Sequence, residues 1–280
     1  MYDTLQPDLI TATPAQRSWM MHDPTLVVSW GIFRETQFPY LEVRRPFILG
    51  TRDRKWKATI AHRFMELLHV KTNKLTRVYT QNIDGLDRHC DQIPSDKIVP
   101  VHGSISQAAC EGCGCSMDYN EFCNAVESNI RNIYDPESGP KESRPIFCNS
   151  CHAPLVKPST VLFGRSLPSE FFECSQVDMP SVDLLIIAGT SLVVSPANGL
   201  CSSVPKSTIR VVVNQVPVGE ELGIDYSPAA KRDLFLQGNC DDVFLDLIHE
   251  LGWLSDLQEK MEELPPQSAA LVKAFSDTRK

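Results

Sequence analysis

The chain has 280 residues, 42% of them hydrophobic, enough to bury a full core as one large domain or as one domain carrying an inserted module. With 27 Lys plus Arg against 35 Asp plus Glu, the net charge of −8 argues against a dedicated nucleic-acid binder and suits a basic protein or peptide partner better. Apolar runs such as VDLLIIAG fall short of the roughly 18 residues of a membrane span. The start, MYDTLQPDLI, lacks the basic and apolar regions of a signal peptide, so the reading is a soluble protein with its ten cysteines in a reducing compartment.

The first clear element is KWKATIAHRFMELLHV, which places Trp56, Ile60, Phe64, Leu67 and Leu68 on one helical face. LTRVYTQ, KIVPVHG, STVLFG, VDLLIIAG, TIRVVVN and DLFLQG follow as short runs rich in β-branched residues, with the look of buried parallel strands. The first of them ends on Thr80, Gln81, Asn82 and Asp84. These residues suit a capped turn, and they equally suit a ligand pocket at the carboxyl end of a strand. His102 closes KIVPVHG, where an imidazole serves either as a structural hydrogen-bonding group or as a proton acceptor near neutral pH.

Next comes metal chemistry. Cys110 and Cys113 form one pair and Cys148 and Cys151 another, with 34 residues between the pairs. Two such turns complete a closed four-sulfur cage for zinc, which has a structural role because no position is left for water. Cys115 offers the metal a different partner, and Cys90, Cys123, Cys174, Cys201 and Cys240 read as small packing residues. The polar, proline-punctuated stretch from Ala125 to Phe147 reads as a surface excursion. In VDLLIIAGTSLVVSPANGL, an apolar strand runs into Gly189, Thr190 and Ser191 and then a helix opened by Pro196; this is either a plain connection or a turn that lets a ligand approach backbone amides. Asn214 and Cys240 end or follow two later strands. Val243, Phe244, Leu247, Ile248 and Leu251 then form a helical stripe, followed by a polar helix and, beyond Pro265, an unstructured polar tail.

TQNIDGLD, VHGS, the two cysteine pairs, VKPSTVLFGRSLP, AGTSLVVSPANGL, VVVNQ and GNCD stand in the order and approximate spacing of the sirtuins, the NAD-dependent protein-lysine deacylases. The chain resembles that family from about Trp56 to Trp253, and MYDTLQ resembles a further stretch of it. The resemblance implies an α/β, Rossmann-like parallel sheet with a small zinc-binding module at about residues 104–157, inside a catalytic domain spanning residues 1–264, with 265–280 as the tail. It implies two cofactors, NAD and a structural zinc held by Cys110, Cys113, Cys148 and Cys151. It implies removal of acetyl or other acyl groups from lysines of histone or non-histone proteins, giving nicotinamide and O-acyl-ADP-ribose. On this resemblance His102 is the base, and Gln81 and Asn82 hold the ribose and a water. Ile83 and Asp84 meet the nicotinamide; Gly189, Thr190, Ser191, Asn214 and Cys240 bind the rest of the dinucleotide. Val161, Phe163 and Gly164 pair with the substrate peptide and flank the acyl-lysine channel, and Arg165 stands where the family usually has an acid.

The family's opening strand and glycine-rich loop are missing from this chain. The expectation is therefore a truncated gene model or fragment with poor NAD affinity, and a parallel sheet lacking its first, central strand. Such a sheet either keeps a gap of about 9–10 Å between the strands ending at Gln81 and Gly189 or re-pairs them. The alternatives to a deacylase are a sirtuin-like module that binds acyl-lysine without turnover and a mono-ADP-ribosyltransferase or NAD hydrolase using the same pocket. The expected location is cytoplasmic or nuclear, with the mitochondrion left open.

Overall fold

The computed structural model describes residues 5–278, so the first four residues of MYDTLQ and the last two of the tail lie outside the described residues. The chain divides into two compact units, one of residues 1–56, 82–85 and 102–167 and the other of 57–81, 86–101 and 168–280. No helix among the described residues is long and apolar enough to cross a membrane.

In the first unit, helix α1 (Pro14–His22) starts at a reciprocal cap: the Thr13 side chain accepts from the Gln16 N–H while Gln16 accepts from the Thr13 N–H. Two further helices, α2 (Trp30–Phe33) and α3 (Phe38–Arg52), send Phe33, Tyr40, Leu41 and Ile48 into the core. Against them lies an antiparallel sheet in the order β4-β3-β5, made of β3 (Gly103–Cys110), β4 (Ser116–Met117) and β5 (Val156–Thr160). Helix α5 (Tyr119–Asn129) completes the packing through Phe122 and Val126.

The stretch from Ala125 to Phe147 is a correction to the sequence reading. Val126, Ile130, Ile133 and Ile146 are buried in this core. What anchors the segment is polar: the fully buried Glu42 accepts from the Thr11 N–H at 2.8 Å and the Ser143 hydroxyl at 2.5 Å, and Arg45 donates to the Ile130 carbonyl at 3.0 Å. Irregularly spaced isoleucines carry no periodic signal, so their burial was hidden. Trp56 is a second correction, because it lies outside the helix and stacks on Phe47 at 5.9 Å. Thr59 and His62 form the cap that starts the helix later, at Ile60.

The second unit contains helix α6 (Ser169–Asp178) and is built on parallel strands, as expected. Among the described residues β1 (Val78–Thr80) pairs only with β2 (Ile98–Pro100); β6 (Leu184–Ala188), β7 (Ile209–Asn214) and β8 (Asp233–Gln237) form a separate sheet in that order. The two sheets have not re-paired. KIVPVHG therefore supplies β2 to one unit and, after a turn at Val101 and His102, β3 to the other. Helices α4 (Ile60–Thr72), α7 (Cys240–Glu250) and α8 (Leu254–Glu259) enclose Phe64, Phe244, Ile248 and Leu257, with the rings of Phe64 and Phe244 4.7 Å apart. Each such fully buried side chain contributes about 1.5–3 kcal/mol. Beyond Pro265, where the sequence reading leaves a polar tail, Pro266–Thr278 form helix α9, whose Val272 is buried in the same cluster.

Candidate functional site

The sequence-derived residues fall into two sets, one in each unit. In the first unit, His102 sits in the turn that leads into β3 and is held through its main chain. Its carbonyl accepts from the Val161 N–H at 2.9 Å. The next residue, Gly103, has φ +74° and lies so close to β5 that an added Cβ would stand 2.0 Å from the Ser159 carbonyl oxygen. Only glycine satisfies both demands. Two positions on, the Ile105 N–H donates to the Ile83 carbonyl at 2.8 Å, so the turn bearing Asn82, Ile83 and Asp84 is fastened to the start of the same strand.

The stretch that follows β5 is not a strand in its own right. Phe163 forms an isolated parallel bridge to Ser29, its N–H donating to the Val28 carbonyl and its carbonyl accepting from Trp30. Its ring remains 49% exposed, and Val161 is half-buried. Arg165 stacks over the Trp30 ring at 4.8 Å and pairs with Glu111 at 2.9 Å. Glu111 pairs also with the buried Lys157 at 2.9 Å; burial pushes the Lys157 ammonium below its ordinary pKa, and Glu111 opposes that shift.

At the far end of β3 and β5 lies the thiol cage. The sulfurs of Cys110, Cys113, Cys148 and Cys151 all lie within 4.8 Å of one another, with Cys110–Cys151 and Cys113–Cys148 each at 3.6 Å. A tetrahedron with metal–sulfur bonds of about 2.3 Å requires sulfurs about 3.8 Å apart, so the donor set fits zinc. Both turns have the same form: Gly114 N–H returns to the Cys110 carbonyl and His152 N–H to the Cys148 carbonyl, each from positive φ. Backbone N–H groups of Cys151 and Ser150 pull the Cys148 thiol down to about 6, while Cys151, its backbone bond from Ala153 outweighed by the neighbouring thiols, is pushed up to about 12, so the clustered sulfurs ionise one before another. Cys115 stands outside this group and turns to the Ser116 carbonyl, which removes it as a rival ligand. Cys110 is seven residues along β3 from Gly103, about 20 Å or more at strand rise, so the cage and His102 lie at opposite ends of one strand.

In the second unit the structure brings Gln81, Gly189, Thr190, Asn214 and Cys240 together at the carboxyl ends of the strands. Gly189 N–H donates to the Val213 carbonyl, Asn214 donates to the Thr190 carbonyl at 3.2 Å, and Gln81 reaches the Thr190 hydroxyl at 3.4 Å. A Cβ on Gly189 would lie 3.3 Å from the Cys240 sulfur. Ser191 is exposed in the same loop. Burial pushes the Cys240 thiol above its ordinary value, which suits a packing residue and not a nucleophile.

Sequence reasoning missed Asn198, whose amide holds the carbonyl of Leu192 at 3.0 Å while the Thr190 hydroxyl accepts from the Leu192 N–H at 3.1 Å. Leu192 is buried at φ +55°, a strained conformation for leucine that these two bonds maintain. The sequence signal was present as an amide six residues after an apolar turn, but nothing in spacing distinguishes it from a helix cap. Pro196 opens not an α-helix but a 3-10 helix, Ala197–Ser202.

These features agree with comparisons to known proteins. The model of the Sir2 family matches residues 16–196. The chain is 32% identical to NAD-dependent protein deacetylase sirtuin-2 of Danio rerio over 85% of its own length and 61% of that protein. It is 32% identical to NAD-dependent protein deacetylase hst2 of Schizosaccharomyces pombe, over 84% of this chain and 63% of the other. Human NAD-dependent protein deacetylase sirtuin-1 is 29% identical over 87% of this chain and 32% of its own length. The chain thus spans less than two thirds of the length of these relatives. With a four-cysteine cage, parallel strands ending in small polar turns, and a family match covering more than half its residues, the chain belongs to the Sir2 family.

Proposed function

We propose that this protein removes acetyl groups from protein lysines with NAD as co-substrate, releasing nicotinamide and O-acetyl-ADP-ribose. The observation that carries the reading is the fixed main chain of His102, locked by Gly103 and Val161 on the strand that also fastens the Asn82–Asp84 turn. A histidine held this firmly is preorganised to take a proton at one defined place. Here we assign His102 the proton of a ribose hydroxyl, and Asn82 the positioning of ribose and water. Ile83 and Asp84 are assigned to the carboxamide of nicotinamide. In the second unit we assign Gln81, Gly189, Thr190, Ser191, Asn214 and Cys240 to the remainder of NAD, because their amides, hydroxyls and close backbone suit ribose and phosphate. NAD supplies the ribose carbon that the acyl oxygen attacks as nicotinamide leaves. Val161, Phe163 and Gly164 receive the acyl-lysine; the exposed Phe163 ring supports that role. The partner is an acetylated protein, histone or otherwise, and the location is cytoplasmic or nuclear, consistent with cysteines present as free thiols.

The test is mass spectrometry after incubating the full chain with NAD and an acetyl-lysine peptide. O-acetyl-ADP-ribose formation that disappears in His102→Ala supports the proposal. Free ADP-ribose alone marks an NAD hydrolase, protein-bound ADP-ribose a transferase, and peptide binding without product a binding module; each refutes the deacetylase reading.

A further inference from the structure

Around the turn that follows Phe163, charged side chains meet without balancing. Lys157 is buried, and each of its N–H groups has an acceptor: Glu111 Oε2 at 2.9 Å, the Pro158 carbonyl at 3.1 Å and the Thr160 carbonyl at 2.5 Å. The other oxygen of Glu111 accepts from Arg165 Nε at 2.9 Å. One carboxylate thus serves two cations, which leaves a surplus of positive charge. The surplus faces water at Arg165, whose side chain is 45% exposed against 3% for Lys157.

That guanidinium is held in place. The Arg165 N–H returns to the Leu162 carbonyl at 3.0 Å, closing a turn whose third residue, Gly164, stands at φ +87°. The guanidinium carbon lies 4.8 Å from the centre of the Trp30 ring, and the Trp30 N–H donates to the Phe163 carbonyl at 2.9 Å, so platform and turn are one assembly. With Nε committed to Glu111, the two terminal nitrogens have no partner among the described residues. This is the planar fork with which an arginine grips a carboxylate. Space for a ligand lies alongside: a Cβ added to Gly164 would meet nothing within 4 Å, and the Phe163 ring is 49% exposed.

We propose that Arg165 makes this protein select acetyl-lysines that have an aspartate or glutamate within two residues of them. The inference rests on the assignment of Val161, Phe163 and Gly164 to the acyl-lysine. The distance limit comes from the turn, whose ends lie within about 7 Å of each other, or about two steps of an extended peptide. The net charge of −8 disfavours an acidic partner at long range, but that field is screened over about 8 Å at physiological salt, whereas fork and carboxylate touch. The preference is therefore for one well-placed acid and not for an acidic run.

The test uses acetyl-lysine peptides of one sequence that carry aspartate, its isostere asparagine, or lysine at one neighbouring position at a time, on either side. The full chain is expected to deacetylate the best-placed aspartate peptide with a kcat/KM about fivefold or more above its asparagine counterpart, an advantage that shrinks as salt rises. Arg165→Gln is expected to bring that ratio to about one, and Arg165→Glu to favour the lysine peptide. A loss of activity or stability common to all peptides cancels in these ratios, and a purely structural role for Arg165 leaves them unmoved. Equal turnover of aspartate and asparagine peptides at every position, or a ratio unchanged in Arg165→Gln, overturns the inference and leaves the deacetylase reading intact. No turnover of any peptide refutes the deacetylase reading instead, and fluorescence anisotropy of the same peptides then decides. Tighter binding of the aspartate peptide that Arg165→Gln abolishes upholds the inference; equal affinities, or no binding, overturn it.

Discussion

Replacing Gly103 by alanine tests whether the backbone beside His102 is as tightly determined as the contacts require. Two costs arise. At φ +74° an L-residue carries a left-handed penalty of about 1–2 kcal/mol. The new Cβ, 2.0 Å from the Ser159 oxygen and 2.9 Å from the Thr160 Cα, meets backbone that cannot swing aside, so β3 and β5 must separate by over 1 Å. That displaces the Val161–His102 hydrogen bond and the Gly103–Thr160 pairing, at about 0.5–1.5 kcal/mol for each bond lost. The total is about 2–5 kcal/mol. Gly164→Ala is the control: its φ is +87°, but nothing lies within 4 Å of the added methyl, leaving only the left-handed penalty. Urea unfolding of both variants, with amide exchange at Val161, separates the terms. Equal destabilisation by the two, or undiminished protection of Val161 in Gly103→Ala, refutes the close-approach argument.

Asp233→Asn leaves Arg210 buried without its bidentate partner, now at 2.6 and 2.7 Å, and is expected to cost about 3–5 kcal/mol in chemical denaturation. In the wild type, burial raises the Asp233 carboxyl, but the Arg210 guanidinium and the Asp225 N–H outweigh it and hold the pKa below the ordinary carboxylate value. Its stabilisation is therefore complete above about pH 4–5, the unfolded range, and falls as pH drops through the depressed folded value, a loss that Asp233→Asn removes from the acid-unfolding curve. Metal analysis is expected to give one zinc per chain, abolished by Cys148→Ser and unchanged by Cys115→Ser; equal loss in both rejects the four-ligand assignment. His102→Ala is expected to lower deacetylation at least a hundredfold while leaving acetyl-peptide binding within a few-fold, measured by calorimetry.

The second unit was the more legible in sequence because its strands β6, β7 and β8 are continuous apolar runs, and such runs announce themselves. The cage was legible because two-residue spacing within each cysteine pair forces a tight turn. What escaped was set by long-range polar contacts. Burial of Ile130 and Ile146 depends on Arg45 and Gln37 gripping the backbone of that segment, and on Glu42 holding the Ser143 hydroxyl, from helix α3 and the residue before it. Leu192 is turned inward by Thr190 and Asn198, and α9 is a helix because Val272 finds the cluster around Phe244. None of these partners is near in sequence except Thr190 and Asn198, and a hydroxyl or an amide there reads as any turn or cap. The split of KIVPVHG between two units was equally hidden, since both halves look like one strand until Gly103 turns the chain.

Glu111 follows the first cysteine of the cage directly, and its carboxylate is shared by Arg165 and Lys157. Emptying the cage would free this turn to drift, withdrawing the only anion paired with Lys157 among the described residues and loosening the guanidinium that lies on Trp30. A chelator would thus act at a distance, loosening the stretch that carries Phe163 and Gly164 although neither residue belongs to the cage.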